Sequence, residues 1–553
     1  MGKFVVILPA MNSTQFKVPH PANEPILGYL PGSKERIELK AALASIEKEV
    51  VEIPCIIGGK EVRTGNVFEV RMPHDHNTVI ARVHLAGKEQ VAAAIDASLA
   101  AKKSWESLPW SERARIFLKA ADLLSGPWRA KINAATMHGQ SKNVYQAEID
   151  SACELADFLR FNAKFYEQII SDQPFSPAGI HNAVDYRPLE GFVFAVTPFN
   201  FTAIAGNLPA APAMIGNTVV WKPSEQQSLA AYRTYQLFEA AGLPAGVINF
   251  IPALGAVAGE VALHHPALAG VHFTGSSATF NHISKTIGSG IENYHTYPRI
   301  VGETGGKDFV FAHPSADLDV LNVALIRGAF EYQGQKCSAA SRAYVPASLW
   351  PKLKERLVAE TRAIKQGDVR DFRNLVNAVI DSRSCSKIST YLEYAKTTAS
   401  YTVLAGGEVD ASVGYFVKPT LLQTTDPKAR TMCEEIFGPV LSLYVYEDSR
   451  IHETLKVLNE TSPYALTGAV ISQDRLALQT LLQELRHSAG NIYINDKPTG
   501  AVVGQQPFGG ARRSGTNDKA GSSMNLLRWM SARTIKENFV PPKQVLYPYM
   551  DEA

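Results

Sequence analysis

Hydrophobic positions in the first part of the chain recur every three to four residues, the spacing of an amphipathic helix. This pattern predicts helices over residues 34–48 and 89–105, and a third that begins at an N-cap Ser111 and stops at Gly126. A longer helix is predicted over residues 144–170. Its acidic residues are expected to be mostly solvated: Glu148, Asp150, Glu154 and Asp157.

From residue 191 the pattern changes to short apolar strands that alternate with helices. Strands are predicted at 191–196, 218–221, 247–251 and 270–273, with a helix over 225–241. A second region of the same kind has a helix over 318–332 and strands at 342–345, 441–446, 468–471 and 491–494. Strand-helix-strand units of this length indicate parallel sheets with right-handed crossovers. The predicted fold class is therefore α/β, with two lobes and a ligand cleft between them.

Composition narrows the class of protein. The 553 residues are 46% hydrophobic and 20% charged, as in an ordinary globular protein with several domains. A net charge of +2 gives no electrostatic reason to expect nucleic acid or an anionic membrane as partner. Five cysteines without a CxxC spacing predict no disulfide framework and no metal site, and they fit a reducing compartment.

Two stretches bear on location and on function. Residues 1–19 contain a short apolar run, and the first arginine is Arg36, which favours the cytoplasm over a secretory or Arg-rich transit signal. The mitochondrial matrix is the alternative if the source is eukaryotic. Residues 504–517 are rich in glycine and polar groups and predict a long functional loop.

Three residues suggest covalent chemistry. Cys337, in GQKCSA, is predicted on a tight turn between a helix and a strand, where a thiol can face a ligand. Glu303, in GETGGK, precedes two glycines that suit a close approach of backbone to ligand, and it is a candidate general base. Asn200, in TPFNF, follows a strand and can offer its amide to an oxyanion. Taken singly, each has a plainer interpretation: a buried apolar cysteine, a solvated acid and a turn asparagine.

The motifs TPFNF, WKPSE, FTGS, GETGGK, GQKCSA, EEIFGP and QQPFGG occur in an order that resembles the aldehyde dehydrogenase superfamily, over about residues 23–539. The longer signatures GQSKNVYQAEID and YINDKPTGAVVGQQPFGGARRSGTNDKAG resemble the branch that acts on L-glutamate γ-semialdehyde. The resemblance implies two parallel-sheet α/β lobes, one NAD-binding and one catalytic, with a small oligomerisation element. It implies an NAD-binding region over 1–305, a catalytic domain over 306–500 and a substrate-anchor and oligomerisation segment over 501–553. A homodimer or higher homo-oligomer is also expected.

The expected cofactor is NAD, although no convincing G-x-G-x-x-G lies between a strand and a helix. The resemblance places Lys222 and Glu225 on the adenosine ribose, where a carboxylate would repel the 2′-phosphate of NADP. It places Glu435 and Phe437 on the nicotinamide ribose and ring, and FTGS at a helix N-terminus that can hold a pyrophosphate. The other expected cofactor contacts are Thr197, Ser224, Gly275, Ser276, Ser277, Ala278 and Thr279.

The resemblance also implies a mechanism. Cys337 attacks the aldehyde carbon, Asn200 and the Cys337 N–H stabilise the oxyanion, and hydride loss leaves a thioester. Glu303 then activates water for hydrolysis. Because a free cysteine has a pKa of about 8.5, the thiol is expected to be activated by a base or by amide dipoles.

For the substrate, the resemblance assigns the α-carboxylate to Ser338 and to the N–H groups of Gly500 and Ala501. It assigns the α-ammonium to Glu154 and the aliphatic stem to Phe201 and Phe508. The product would be L-glutamate, in the second step of proline degradation. Three alternatives remain: an aldehyde dehydrogenase for a neutral semialdehyde, a CoA-acylating enzyme and a catalytically silent homologue. Retention of Glu303 and Cys337 disfavours the last two.

Overall fold

The fold is described from a computed structural model that covers residues 16–550. The first fifteen residues, on which the location prediction partly depends, lie outside the described part of the chain, as do the last three. No helix within residues 16–550 combines the length and the apolar character that a membrane crossing requires.

The first lobe is built on a seven-stranded sheet in which five adjacent strands are parallel. Two short antiparallel strands extend it at one edge. In spatial order the strands are Arg299–Glu303, Leu268–Thr274, Phe192–Val196, Thr218–Lys222, Ile248–Phe250, Cys55–Ile57 and Lys60–Val62. The parallel sheet predicted from residue 191 onward is thus confirmed.

The second lobe holds another seven-stranded sheet, parallel except for one edge strand. Its order is Tyr401–Ala405, Thr420–Thr424, Val440–Tyr446, Ala340–Pro346, Asp308–Ala312, Thr467–Ile471 and Asn491–Ile494. The chain passes from the first sheet to the second between Glu303, which ends one strand, and Asp308, which begins the next. Membership of a sheet does not define a folding unit, so the three-part domain division remains a prediction.

Four smaller sheets complete the β-structure of residues 16–550. The largest has three strands, and the longest pairing joins two nine-residue strands in an antiparallel ribbon. The three-stranded sheet comprises Val51–Ile53, Asp75–His84 and Val67–Met72, and the ribbon comprises Ile180–Pro188 and Met530–Asn538. The other pairs are Val409–Asp410 with Phe416–Val417 and Tyr464–Ala465 with Ala511–Arg512.

Helices cover the faces of both sheets, and several follow the predicted bounds closely. The α-helices are Lys34–Ile46, Lys88–Ser107, Trp110–Ser125, Arg129–Gln140, Val144–Ala147, Glu154–Ser171, Thr202–Met214, Ser228–Ala241, Gly255–Ala262, Ser277–Ser289, Leu318–Phe330, Trp350–Ala363, Ser382–Thr397, Arg430–Cys433, Ile451–Thr461, Arg475–Glu484 and Ser523–Leu527. The predicted N-cap Ser111 is wrong. Pro109 caps that helix instead, because its restricted φ suits the start of a helix and it has no N–H to satisfy.

The helix predicted over residues 144–170 is interrupted by a π-helical segment, Glu148–Cys153. The expectation that its acids are solvated is wrong, since Glu148, Asp150 and Asp157 are buried and Glu154 is half-buried. Burial is tolerated because each buried acid has partners. Glu148 accepts from Tyr29 at 2.7 Å, Asp150 from Lys142 at 2.7 Å and Asp157 from Asn23 at 2.8 Å.

Candidate active site

Cys337 lies on a turn between the helix that ends at Phe330 and the strand that begins at Ala340. Tyr332 and Gln333 have positive φ angles of 49° and 56°, and Gly334 follows with 65°. Such angles are costly for residues with a side chain and persist only where the surroundings fix them. The nucleophile candidate is therefore presented by a backbone that its neighbours hold in place.

Two glutamine side chains fix this turn. Gln333 Oε1 accepts from the Asn377 N–H at 3.0 Å, and Gln335 Oε1 accepts from the Ile380 N–H at 2.9 Å. A few residues further along the chain, Asp381 and Ser382 line the wall of the cavity described below. The turn and the cavity wall are thus parts of one hydrogen-bonded structure.

Asn200 reaches the same turn from the first lobe. Its Nδ2 donates to the Gln335 carbonyl oxygen at 3.0 Å, and its side chain is buried. A carboxamide nitrogen carries two N–H donors, so one remains for a second acceptor. The arrangement suits stabilisation of an oxyanion beside Cys337.

The paired glycines after Glu303 mark a close approach of the two lobes. A Cβ on Gly306 would lie 2.3 Å from the Cys337 carbonyl oxygen, and one on Gly305 would lie 2.3 Å from the Glu435 carboxylate. The Gly306 N–H donates to Glu435 Oε1 at 3.0 Å. At Gly306 a side chain would meet main-chain atoms, so only glycine fits there, and at Gly305 a side chain would displace the Glu435 carboxylate.

Glu303 ends the strand Arg299–Glu303 and points toward the loop that follows residue 508. Its Oε2 accepts from the Gly510 N–H at 3.1 Å. Desolvation raises the pKa of Glu303 to about 8, although the Gly510 hydrogen bond opposes the shift. A carboxylate with this pKa is suited to act as a general base near neutral pH.

The activation of the Cys337 thiol by a base or by amide dipoles remains a prediction. Burial raises the pKa of Cys337 well above its usual value, and the carboxylates of Asp308, Glu303 and Glu435 raise it further. The Cys337 N–H opposes this shift but does not reverse it. The thiol therefore needs a base to accept its proton before it can attack.

A cavity of about 970 Å³ opens in front of Cys337 and Asn200. It is lined by nine of the predicted cofactor contacts: Thr197, Lys222, Ser224, Glu225, Gly275, Ser276, Thr279, Glu435 and Phe437. Ser277 and Ala278 lie in the first turn of their helix, outside this lining, and Glu303 lies behind it. The nucleophile candidate and most of the predicted cofactor contacts thus share one cavity.

The part of the cavity remote from Cys337 suits an adenine dinucleotide. Lys222 Nζ donates to Glu225 Oε1 at 2.9 Å, which leaves the other carboxylate oxygen for a ribose hydroxyl. Ser276 caps the helix Ser277–Ser289 by accepting from the Thr279 N–H at 3.1 Å. Backbone N–H groups and a positive helix end at this position favour a pyrophosphate, so these residues fit NAD.

Aromatic rings line the cavity nearer to Cys337. Phe437 has a φ of 62°, and its ring meets that of Phe199 edge-on with centroids 5.8 Å apart. Thr197 accepts from the indole N–H of Trp221 at 3.0 Å and is thereby fixed at its strand end. A flat, rigid wall of this kind suits the nicotinamide ring.

The predicted substrate contacts lie outside the lining of the cofactor cavity. Ser338 is hydrogen-bonded to Thr499 at 2.7 Å, which brings it beside the loop of Gly500 and Ala501. Phe201 is buried, and Phe508 pairs through its backbone with Ala520. Within residues 16–550 the rings of Phe201 and Phe508 make no direct aromatic pair.

Sequence reasoning missed a group of buried charges next to Phe201. Lys142 Nζ lies 2.7 Å from Asp150 and 4.3 Å from the centroid of the Phe201 ring. Lys336, which precedes the nucleophile, lies 3.5 Å from Asp150, and Lys497 lies 2.9 Å from Glu331. The only sequence feature that could have indicated these charges is Lys336, which directly precedes the candidate nucleophile in GQKCSA.

Glu154 faces this buried charge group. Desolvation raises the pKa of Glu154, as does the neighbouring Asp150, whereas Lys142 and Lys336 oppose the shift. Burial lowers the pKa of Lys142 to about 8, against the attraction of Asp150. Glu154 is therefore one member of a charge network rather than an isolated counter-ion.

Comparison with known proteins places this geometry among relatives. The profile of the aldehyde dehydrogenase family matches residues 61–535. The mitochondrial delta-1-pyrroline-5-carboxylate dehydrogenase of Dictyostelium discoideum is 53% identical over 536 residues, 96% of either chain. Its human counterpart is 50% identical over 530 residues, 96% of this chain and 94% of the other. The NAD-bound crystal structure of the Mycobacterium tuberculosis enzyme has a TM-score of 0.95 at 55% identity, covering 98% of this chain and all of the other.

Proposed function

The chain belongs to the aldehyde dehydrogenase family, and on this premise we propose that it oxidises L-glutamate γ-semialdehyde to L-glutamate with NAD. The relatives named for delta-1-pyrroline-5-carboxylate dehydrogenase span nearly the whole chain. The open semialdehyde is in equilibrium with cyclic 1-pyrroline-5-carboxylate. The reaction is the second step of proline degradation.

The observation that carries this proposal is the meeting of three motifs at one turn. Asn200 binds the Gln335 carbonyl, Gly306 approaches the Cys337 carbonyl, and the cavity with Lys222 and Glu225 opens at the same place. A silent homologue would have no need for this arrangement. A structural role alone also does not explain a half-buried base whose pKa is raised to about 8.

The residues of the chain act in two stages. In the first, Cys337 gives its proton to a base and its sulfur bonds to the aldehyde carbon, while Asn200 and the Cys337 N–H stabilise the oxyanion. NAD, when bound, would supply the hydride acceptor, and loss of hydride from the substrate carbon re-forms the carbonyl and leaves a thioester on Cys337. In the second stage, Glu303 takes a proton from water, hydroxide attacks the thioester, and Cys337 leaves as thiolate with release of the acid.

Two sets of polar groups support the substrate assignment. Ser338 and the Gly500-Ala501 backbone would donate hydrogen bonds to an α-carboxylate, and Glu154 would accept from an α-ammonium, whose charge favours the ionised form of Glu154. Ala501 lacks the hydroxyl that a serine would add but keeps its N–H. A site of this composition should reject aldehydes that leave buried polar groups unpaired, by up to about 10⁴-fold.

A panel of aldehydes tests the proposal. NAD reduction is measured with glutamate semialdehyde, with succinate semialdehyde, which lacks the ammonium, and with propanal, which lacks both charged groups. We expect the highest kcat/KM for glutamate semialdehyde. Equal efficiency with propanal would overturn the substrate assignment and leave the dehydrogenase chemistry standing.

We further propose that the chain forms a homodimer or higher homo-oligomer through the ribbon of Ile180–Pro188 and Met530–Asn538. Exposed apolar side chains that follow the ribbon support this: Phe539 is 62% and Val540 71% exposed. Light scattering coupled to gel filtration tests it, and a monomeric mass would contradict it.

Location remains a prediction: the "mitochondrial" names of eukaryotic relatives support the matrix if the source is eukaryotic.

A further inference from the structure

Lys519 has an unusual set of partners for a lysine near a catalytic base. Its Nζ donates to the Gly490 carbonyl at 2.8 Å, to the Gly509 carbonyl at 3.0 Å and to Asn491 Oδ1 at 3.2 Å. These three oxygens use all three donors of an ammonium group. Among residues 16–550, no carboxylate lies within 4.0 Å of this nitrogen.

The Gly509 carbonyl that Lys519 binds belongs to the same peptide unit as the Gly510 N–H. That N–H donates to Glu303 Oε2 at 3.1 Å. One peptide group therefore has an ammonium at its oxygen end and the Glu303 carboxylate at its nitrogen end. A cation on the carbonyl polarises the peptide and strengthens the N–H as a donor.

Asn491 and Lys519 also hold the turn at Gly509 in position. Asn491 Oδ1 accepts from the Gly509 N–H at 3.2 Å, so Asn491 and Lys519 bind both sides of Gly509. Lys519 is half-buried and has a φ of 53°, a left-handed conformation that the Phe508–Ala520 backbone pair supports. Rigid support on both sides fixes where the Gly510 N–H points.

We propose that Lys519 is a positioning residue for Glu303: it binds the Gly509–Gly510 peptide whose N–H holds the Glu303 carboxylate, and its charge favours the ionised form of that carboxylate. The inference rests on the proposed function, because it concerns the hydrolysis step of the thioester. Lys519 does not touch the reacting atoms. Its effect is confined to the base, so it should alter hydrolysis of the acyl-enzyme and leave acylation of Cys337 intact.

The charges around Glu303 give the direction of the effect. Desolvation raises the pKa of Glu303, as does Asp518, while Lys519 lowers it. Asp518 is itself paired with Arg528 at 3.3 Å, and Cys337 faces Glu303 from the nucleophile turn. Removal of the Lys519 charge leaves only the Gly510 hydrogen bond to oppose desolvation and Asp518. The protonated and inactive form of Glu303 then persists to higher pH.

Lys519→Gln keeps a donor for the carbonyls and removes the charge, and Lys519→Arg keeps the charge. We measure the NADH burst by stopped flow, and the decay of the acyl-enzyme by acid quench and intact-protein mass, from pH 6 to pH 10. In Lys519→Gln we expect the burst to be unchanged and the pH midpoint of acyl-enzyme decay to move up by about one unit. Lys519→Arg should restore the wild-type midpoint.

Lys164→Gln is the matched control, because Lys164 also donates to a main-chain carbonyl, that of Val18, in another part of the fold. An unchanged midpoint in Lys519→Gln, or an equal loss of rate at every pH, would overturn the positioning role. If Lys519→Gln does not fold, Lys519→Arg decides: a shifted midpoint there contradicts the role of charge, and an unshifted one supports it. The absence of any NADH burst in the wild type would instead contradict the proposed function.

Discussion

The side-chain amide of Asn200 donates to the main-chain carbonyl of Gln335, two residues before Cys337, at 3.0 Å. This hydrogen bond joins the end of a strand in the first lobe to the nucleophile turn of the second. It leaves the second N–H of the amide for another acceptor in the cavity that Asn200 and Cys337 both line. The position of the oxyanion donor is therefore tied to that of the nucleophile.

Asn200→Ala should reduce the rate of the NADH burst by about 10²- to 10³-fold, because one oxyanion donor is lost. Stopped-flow absorbance measures the burst, and titration of intrinsic fluorescence with NAD checks that the cofactor still binds. Asn143→Ala is the control, since Asn143 also donates to a main-chain carbonyl, that of Leu375, away from the site. Similar burst rates in the two variants would refute the oxyanion role.

Hydrolysis of the acyl-enzyme should depend on pH through Glu303. Desolvation raises the pKa of this group to about 8, and only its ionised form accepts a proton from water. The rate constant for hydrolysis should therefore fall about tenfold per pH unit well below pH 8 and level off above it. Rapid-quench measurement from pH 6 to pH 10 checks this. A rate independent of pH across that range would exclude Glu303 as the base.

Glu154→Ala should narrow the preference for glutamate semialdehyde over succinate semialdehyde, because only the former carries an ammonium. A hydrogen bond to a charged group contributes about 1.5–3 kcal/mol, so the ratio of the two kcat/KM values should fall about 10- to 100-fold. Propanal serves as the control substrate, with little change expected. If all three aldehydes lost activity by the same factor, Glu154 would support the fold of the site and not select the substrate.

Asp150→Ala should destabilise the protein by about 3–5 kcal/mol, because it leaves the buried Lys142 without its main partner. Asp371→Ala is the matched control. Asp371 pairs with Arg373 at the same 2.7 Å, but on the surface, where solvent screens the attraction and such pairs contribute little to stability. Urea unfolding followed by circular dichroism measures both. Equal losses in the free energy of unfolding would show that the buried pair stabilises the protein no more than the surface pair does.

The sequence predicted most of the two sheets because buried parallel strands form short apolar runs between turn residues. The strand over residues 491–494, for example, has the predicted bounds. Motifs at strand ends also carried information, since the carboxyl ends of parallel strands meet at one cleft. Thus Lys222 and Glu225 lie in the same cavity as Cys337, which is far away in sequence.

The missed features depend on contacts between distant residues. A helix pattern did not reveal that Glu148, Asp150 and Asp157 would be buried, because their partners are Tyr29, Lys142 and Asn23. Nor did it reveal the π-helical segment Glu148–Cys153, which shifts these acids relative to the rest of the helix. The raised pKa of Cys337 arises from burial between lobes, which no local motif encodes.

The most direct test of the central claim uses Glu303→Gln mixed with NAD and glutamate semialdehyde. Rapid quench, proteolysis and mass spectrometry should find a glutamyl thioester on the peptide that contains Cys337, formed together with a stoichiometric burst of NADH. Cys337 should lose this adduct on treatment with hydroxylamine, while Cys55, buried in the first lobe, carries none. Sustained turnover in Glu303→Gln, or an adduct on any other residue, would contradict the thioester mechanism.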